Sequence, residues 1–113
     1  MLSALGRVLT RRTSSFDARL QGVGGYTGRG DIKVAARSDG DIKLNVALRG
    51  VAGRKAELFL GGDLIARVKV DNGRAARIVR KQVEAETHSF QEGARIEVRQ
   101  NGDAILEGVL KSA

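Results

Sequence analysis

Four short glycine-containing turns divide this chain, and each separates two runs in which apolar and polar residues alternate. Turns of this kind between alternating runs are typical of β-hairpins, because glycine and asparagine adopt the left-handed backbone that tight hairpin turns need. The four turns are Ser38-Asp39-Gly40, Gly61-Gly62-Asp63, Asp71-Asn72-Gly73 and Gln100-Asn101-Gly102. The sequence therefore predicts a series of antiparallel hairpins.

The register of the first hairpin follows from its apolar residues. A three-residue loop, Ser38-Asp39-Gly40, places Val34 opposite Leu44 and Ile32 opposite Val46, so that the apolar side chains share one face. A two-residue loop would put the two apolar rows on opposite faces, since a slip of one residue inverts every side chain. We therefore expect the three-residue loop.

The same test predicts three-residue loops at Gly61-Gly62-Asp63 and Asp71-Asn72-Gly73, so that three consecutive strands form a meander through residue 80. At Gln100-Asn101-Gly102, loops of two and three residues both remain open. Seven strands result, and residues 20–23 are a candidate eighth. The predicted fold is all-β: an antiparallel β-sandwich of seven or eight short strands, with a small barrel as the second choice.

The length of 113 residues is typical of one domain. We expect a single β domain over residues 16–113, preceded by a basic N-terminal arm or short helix over residues 1–15. The arm contains Arg7, Arg11 and Arg12 and no acidic residue. It is too short and too charged to span a membrane. Its composition, with arginine and serine and no acidic residue, also fits an organelle transit peptide if the source is eukaryotic, but we favour the arm, and the localisation stays unknown.

The chain has few of the residues that carry catalysis or bind metals. It contains no cysteine and one histidine, His88, so it cannot supply the usual ligands of a zinc site. Gly25 and Gly30 have the spacing of a phosphate-binding Walker loop, but Asp31 stands where that loop requires lysine. We therefore predict no cofactor, no metal site and no enzymatic activity.

The net charge of +7 favours an anionic partner. Outward positions of the first hairpin carry Lys33, Arg37, Lys43 and Arg49, which with the arginines of the arm are the candidate contacts for such a partner. Aromatic residues make up only 4% of the chain, so few side chains are available for base stacking. Nucleic-acid binding would therefore depend on phosphates, be sensitive to salt and be largely indifferent to sequence.

Proline is absent, which removes one of the devices that protect exposed strand edges from pairing. The leading functional expectation is a non-enzymatic structural or adaptor module that self-associates, or docks into a larger protein assembly, through strand edges and the arm. The alternative is electrostatic, sequence-nonspecific binding of nucleic acid or of an acidic surface.

Overall fold

A computed structural model of the chain describes residues 13–37, 40–82 and 90–113, which form nine β-strands and no helix. The strands are β1 (Thr13–Gly22), β2 (Arg29–Arg37), β3 (Asp41–Arg49), β4 (Lys55–Leu60), β5 (Asp63–Lys69), β6 (Arg74–Gln82), β7 (Arg95–Gln100), β8 (Asp103–Val109) and β9 (Lys111–Ser112). Their order in the sheet is β5-β4-β7-β8-β1-β2-β3-β6, with β9 paired to β1. The all-β antiparallel class is confirmed, in the form of one sheet nearly closed into a barrel, which was the second choice.

The strand β1 begins at Thr13, so residues 13–15 of the predicted arm belong to the sheet. The rest of the predicted arm, with Arg7, Arg11 and Arg12, lies outside the described residues, and so does His88.

Alternate residues of the strands point into the barrel and form one aliphatic core. The largest fully buried side chains are Leu20, Ile32, Leu44, Leu58, Ile65, Ile96, Val98, Leu106 and Leu110. No polar or charged side chain is buried among the described residues. Any chemistry in the described part of the barrel is therefore carried by its outer surface and its ends.

The first hairpin has the predicted register. Val34 pairs with Leu44 and Ile32 pairs with Val46, and all four side chains are buried. Gly40, which ends the turn, has a φ of 94°, a conformation that glycine adopts without strain. Residues 38 and 39 of this turn lie outside the described residues.

The Asp71-Asn72-Gly73 turn differs from the prediction. Asn72 and Gly73 are both left-handed, and the backbones of Asp71 and Arg74 exchange two hydrogen bonds of 2.8 and 3.0 Å around them. This is a two-residue hairpin turn, so the predicted three-residue loop is wrong. β5 and β6 also separate beyond this pair, because β6 runs along β3 while β5 runs along β4. The predicted meander through residue 80 is therefore wrong as well.

The β4–β5 hairpin closes on a turn of Gly61 and Gly62 alone, so the predicted three-residue loop is again wrong. The strand β5 then contains a β-bulge, which inserts Ile65 as an extra residue, and Leu58 pairs with Ala66. With the shorter loop alone, the apolar side chains of β5 beyond the turn would face solvent, and the extra residue of the bulge returns them to the core side. The bulge also turns Ile65 into the core, where it is 2% exposed.

The β7–β8 hairpin has the same construction. Asn101 and Gly102 form a two-residue turn, which decides between the two loop lengths that the sequence left open. A bulge then brings Ile105 into the core and places Val98 opposite Leu106.

The β4–β5 and β7–β8 hairpins correspond residue by residue, with an offset of 40 in the numbering. The identical residues at matched positions are Gly53/Gly93, Glu57/Glu97, Gly62/Gly102, Asp63/Asp103 and Ile65/Ile105. β4 and β7 pair with Leu58 opposite its own counterpart, Val98, so a local two-fold axis passes between them. One half of the barrel thus consists of two hairpins with the same turn-and-bulge construction.

Candidate anion-binding site

Five strands that are consecutive around the barrel carry a basic residue at the same end. These residues, named here the basic rim, are Arg29 on β2, Arg49 on β3, Arg74 on β6, Lys69 on β5 and Lys55 on β4. Arg29 pairs with Arg49, Arg49 pairs with Arg74, and Lys55 pairs with Lys69. The Asp71–Arg74 turn joins the two groups, so the basic rim runs continuously from β2 to β4.

The alternation of each strand makes the rim residues point outward. In every case a neighbour in the sequence is buried: Gly30, Leu48, Ala75, Val68 or Ala56. Because successive side chains of a strand face opposite sides of a sheet, the basic residue beside each of these faces solvent. All five rim residues are exposed.

Tight packing of three loops holds this end of the barrel together. A Cβ atom on Gly28 would lie 2.8 Å from the carbonyl oxygen of Gly50, so only glycine allows the β1–β2 and β3–β4 loops to approach this closely. The backbone of Val51 donates to the carbonyl oxygen of Gly73 at 3.1 Å. Gly22, Gly28 and Gly30 therefore serve close packing, which sets the strand ends that carry the rim.

The arrangement of charge in the rim is unfavourable for the folded chain. Arg49 lies directly between Arg29 and Arg74, and cross-strand neighbours have Cβ atoms about 5 Å apart. No rim residue forms a salt bridge with any other described residue. Like charges directly opposite each other destabilise a sheet. An anion bound at this row would remove the repulsion.

The surroundings of the arginine row suit the oxygens of a phosphate. A shallow depression there is lined by Thr27, Arg29, Arg49, Gly50, Asn72, Gly73 and Arg74. Its guanidinium, hydroxyl and amide groups are all hydrogen-bond donors, and guanidinium matches the geometry of a phosphate with two parallel bonds. Tyr26, which precedes Thr27 in the same loop, is 46% exposed.

The predicted contact residues on the first hairpin all lie on the outer face of β2 and β3. Lys33, Lys43 and Arg49 have no salt-bridge partner among the described residues, whereas Arg37 lies 3.9 Å from Asp41 across the turn. The sequence reasoning missed Arg29, because the alternation of polar and apolar residues in this hairpin begins only at Asp31. It also missed the basic residues of β6, because it paired β6 with β5 instead of β3.

The outer face of the opposite half of the barrel, formed by β4, β5, β7 and β8, is organised differently. Its ion pairs are Arg67–Glu57 at 3.3 Å, Arg99–Glu97 at 2.5 Å and Arg95–Glu107. The hydrogen bond and charge of Glu107 raise the pKa of the Arg95 guanidinium. Arg99 also stacks over Phe59, with 4.0 Å between its Cζ atom and the ring centroid. Apart from Lys55 and Lys69 of the basic rim, this face therefore offers an anion fewer uncompensated cations.

Within residues 13–37, 40–82 and 90–113, no three His, Cys, Asp or Glu side chains cluster as a metal site would need. No helix in this part of the chain is long and apolar enough to cross a membrane. No model of a known protein family matches the chain, and no curated protein sequence matches it significantly.

Proposed function

We propose that this protein is a non-enzymatic binding module that holds the phosphate backbone of a nucleic acid on its basic rim and on the adjoining outer face of β2, β3 and β6. The observation that carries the proposal is the row of Arg29, Arg49 and Arg74, three guanidinium groups in register without a carboxylate partner in the described structure.

The adjoining face extends the positive surface well beyond the rim. Its outward cations in the described residues are Arg29, Lys33, Arg37, Lys43, Arg49, Arg74 and Arg80, and its carboxylates are Asp31 and Asp41. A nucleic acid neutralises several such charges at once and releases counterions, which supplies most of the affinity in nonspecific binding. A long polyanion therefore fits this surface better than a single small anion.

The binding we propose reads the backbone and not the bases. The described outer face of β2, β3 and β6 carries no aromatic side chain, and Tyr26 is the exposed aromatic residue beside the rim. Base stacking on aromatic residues is the main source of affinity that does not depend on phosphates. The affinity is therefore expected to vary little with base sequence and steeply with salt.

The test is a titration of a fluorescent DNA duplex, and of the matching single strand, at about 50 and about 200 mM salt. We expect the affinity to fall by about tenfold or more over this range, and Arg49→Thr to weaken binding at both concentrations. Arg49→Lys keeps the charge and should retain most of the affinity. Arg67→Thr, which removes a cation from the opposite half, is the matched control.

Two results would contradict the proposal. One is the absence of binding at low salt, and the other is an equal loss of affinity in Arg49→Thr and Arg67→Thr. An equal loss would mean that total charge, and not the basic rim, determines the interaction.

Self-association through strand edges, or docking into a larger assembly, remains a second proposal. The strands at the two ends of the strand order, β5 and β6, each have one open edge, which supports this proposal. These two edges, however, face each other across the gap in the barrel. Sedimentation of the full chain at several concentrations tests it, and a monomer at all of them would contradict self-association.

A further inference from the structure

We infer that the gap between β5 and β6, named here the seam, accepts an extended acidic segment of a partner protein as an additional β-strand. This inference does not depend on nucleic-acid binding, because none of the residues that line the groove along the seam belongs to the basic rim.

The seam lies between two strands that are each paired on one side only. β5 pairs with β4 and β6 pairs with β3, and between β5 and β6 the described backbone forms only the Asp71–Arg74 pair at the turn. Every strand carries hydrogen-bonding groups on both sides, so the facing sides of β5 and β6 present donors and acceptors without a ladder. A strand placed between them would complete the barrel through backbone hydrogen bonds to both edges.

The contact across the seam is made by a side chain. Lys81 of β6 donates from Nζ to the carbonyl oxygen of Ile65 on β5, at 2.5 Å. A lysine side chain occupies the space that a backbone ladder would otherwise fill, so the two backbones are too far apart at this level to pair directly. A carboxylate on an incoming strand would replace this carbonyl oxygen as the acceptor for Lys81, and the resulting hydrogen bond would be stronger because both groups are charged.

The groove along the seam combines an apolar floor with basic sides. A groove of about 300 Å³ is lined by Leu64, Ile65, Ala66, Arg67, Val79 and Lys81. Arg77 is exposed although its cross-strand partner Val46 is buried, and its Nη1 atom donates to the carbonyl oxygen of Ala76 at 3.1 Å. Its guanidinium therefore lies against the backbone of β6, beside the groove and outside its lining. No carboxylate lines the groove in the described structure.

This chemistry selects one kind of occupant, a strand in which acidic residues alternate with β-branched apolar residues. Its apolar side chains would contact Ile65 and Val79, and its carboxylates would meet Lys81 and Arg77. A second copy docked by its own β6 would bring Arg74, Arg77, Arg80 and Lys81, with no acid in that strand. Like charges make that arrangement unfavourable.

The experiment uses a fluorescently labelled eight-residue peptide of alternating glutamate and valine, titrated into the full chain. Its matched controls are a lysine–valine peptide and a glutamate–valine peptide N-methylated at alternate residues, which keeps the charge but removes backbone donors. We expect the unmethylated acidic peptide to bind at least tenfold more tightly than either control. Hydrogen exchange should slow along β5 and β6 when it binds.

Variants assign the binding to the seam. Arg77→Glu should weaken the acidic peptide and strengthen the lysine–valine peptide, whereas Arg49→Glu, with the same charge change on the basic rim, should leave the preference for the unmethylated peptide intact. Arg77→Gln replaces Arg77→Glu if the latter fails to fold, and it should also weaken the acidic peptide.

Three results would overturn the inference. They are the absence of acidic-peptide binding, equal binding of the methylated and unmethylated peptides, and an equal loss in Arg49→Glu and Arg77→Glu. The last two would show that the peptide binds by charge alone and not as a strand in the seam. None of these three results would count against nucleic-acid binding, so the two proposals can fail separately.

Discussion

The two halves of this barrel share one core but differ on their outer faces. On β4, β5, β7 and β8, exposed arginines lie beside glutamates, as in the Arg67–Glu57 and Arg99–Glu97 pairs. On β2, β3 and β6, the cross-strand neighbours at the rim are arginines beside arginines. Apart from the Lys55–Lys69 pair of the basic rim, the first pattern shows that exposed arginines of this sheet can be paired with glutamates. The uncompensated arginines of the second half are therefore not a requirement of the fold, and the binding role proposed above would account for them.

The largest effect that this comparison predicts is a loss of nucleic-acid binding when arginines on β2, β3 and β6, but not those on the opposite half, are replaced. The triple variant Arg29→Gln, Arg49→Gln, Arg74→Gln removes about three phosphate contacts, so affinity at low salt should fall roughly 100-fold or more. The dependence of log affinity on log salt should become shallower by about three. Anisotropy titrations of a labelled duplex over a salt series measure both quantities.

The control for this triple variant makes the same charge change on the other half, with Arg67→Gln, Arg95→Gln and Arg99→Gln. These arginines are already paired with glutamates, and their removal should lower affinity far less. If the two triple variants lost affinity to the same extent, the difference between the halves would have no functional meaning.

A second prediction states where the halves should not differ. Ile65 on β5 and Ile32 on β2 are both buried in the shared core, at 2% and 0% exposure. Replacing either with alanine removes buried methyl groups and leaves a cavity, which costs about 2–5 kcal/mol. Denaturant unfolding of the two variants should give similar losses of free energy. A loss below about 1 kcal/mol at Ile65 would mean that the bulge does not seat it in the core.

The sequence predicts a strand pairing correctly where only one partner and register would bury the apolar side chains of that strand. Where two partners would bury them equally well, the sequence does not decide between them. For the first hairpin, only the three-residue loop places Val34 and Leu44 on one face, and the structure has that register. For β6, the alternation is satisfied by β3 as well as by β5, and local sequence does not distinguish the two. Bulges limit the prediction in a second way. The extra residues Ile65 and Ile105 shift the pairing by one, so the faces of β5 and β8 that point inward do not follow from loop length alone.

The candidate site was predictable only in part, for the same reason. Lys33, Lys43 and Arg49 follow from the alternation of one hairpin, and they face outward together as expected. The basic rim also needs the order of strands around the barrel, since Arg74 becomes a neighbour of Arg49 only when β6 pairs with β3. Lys69 and Lys55 join the rim only because the sheet curls until β5 approaches β6. The sequence does carry one usable sign, a basic residue at the same end of successive strands.

The smallest predicted effect is on the stability of the fold. It tests the comparison most directly, because its sign differs between the two halves. Arg49→Thr relieves repulsion from Arg29 and Arg74, so it should stabilise the fold by about 0.5 kcal/mol at low salt. Arg67→Thr removes an exposed ion pair and should destabilise it by a similar or smaller amount, about 0.2–0.5 kcal/mol. Salt screens both interactions, so added salt should bring the two variants closer to the parent chain. Denaturant unfolding at two ionic strengths measures the four differences.

A gain of stability in Arg49→Thr together with weaker nucleic-acid binding would identify Arg49 as a residue retained for binding at the expense of the fold. If Arg49→Thr instead destabilised the chain as Arg67→Thr does, the arginine row would be contributing to stability. The repulsion on which the comparison of the two halves depends would then be absent, and with it the main reason to expect an anion at the basic rim.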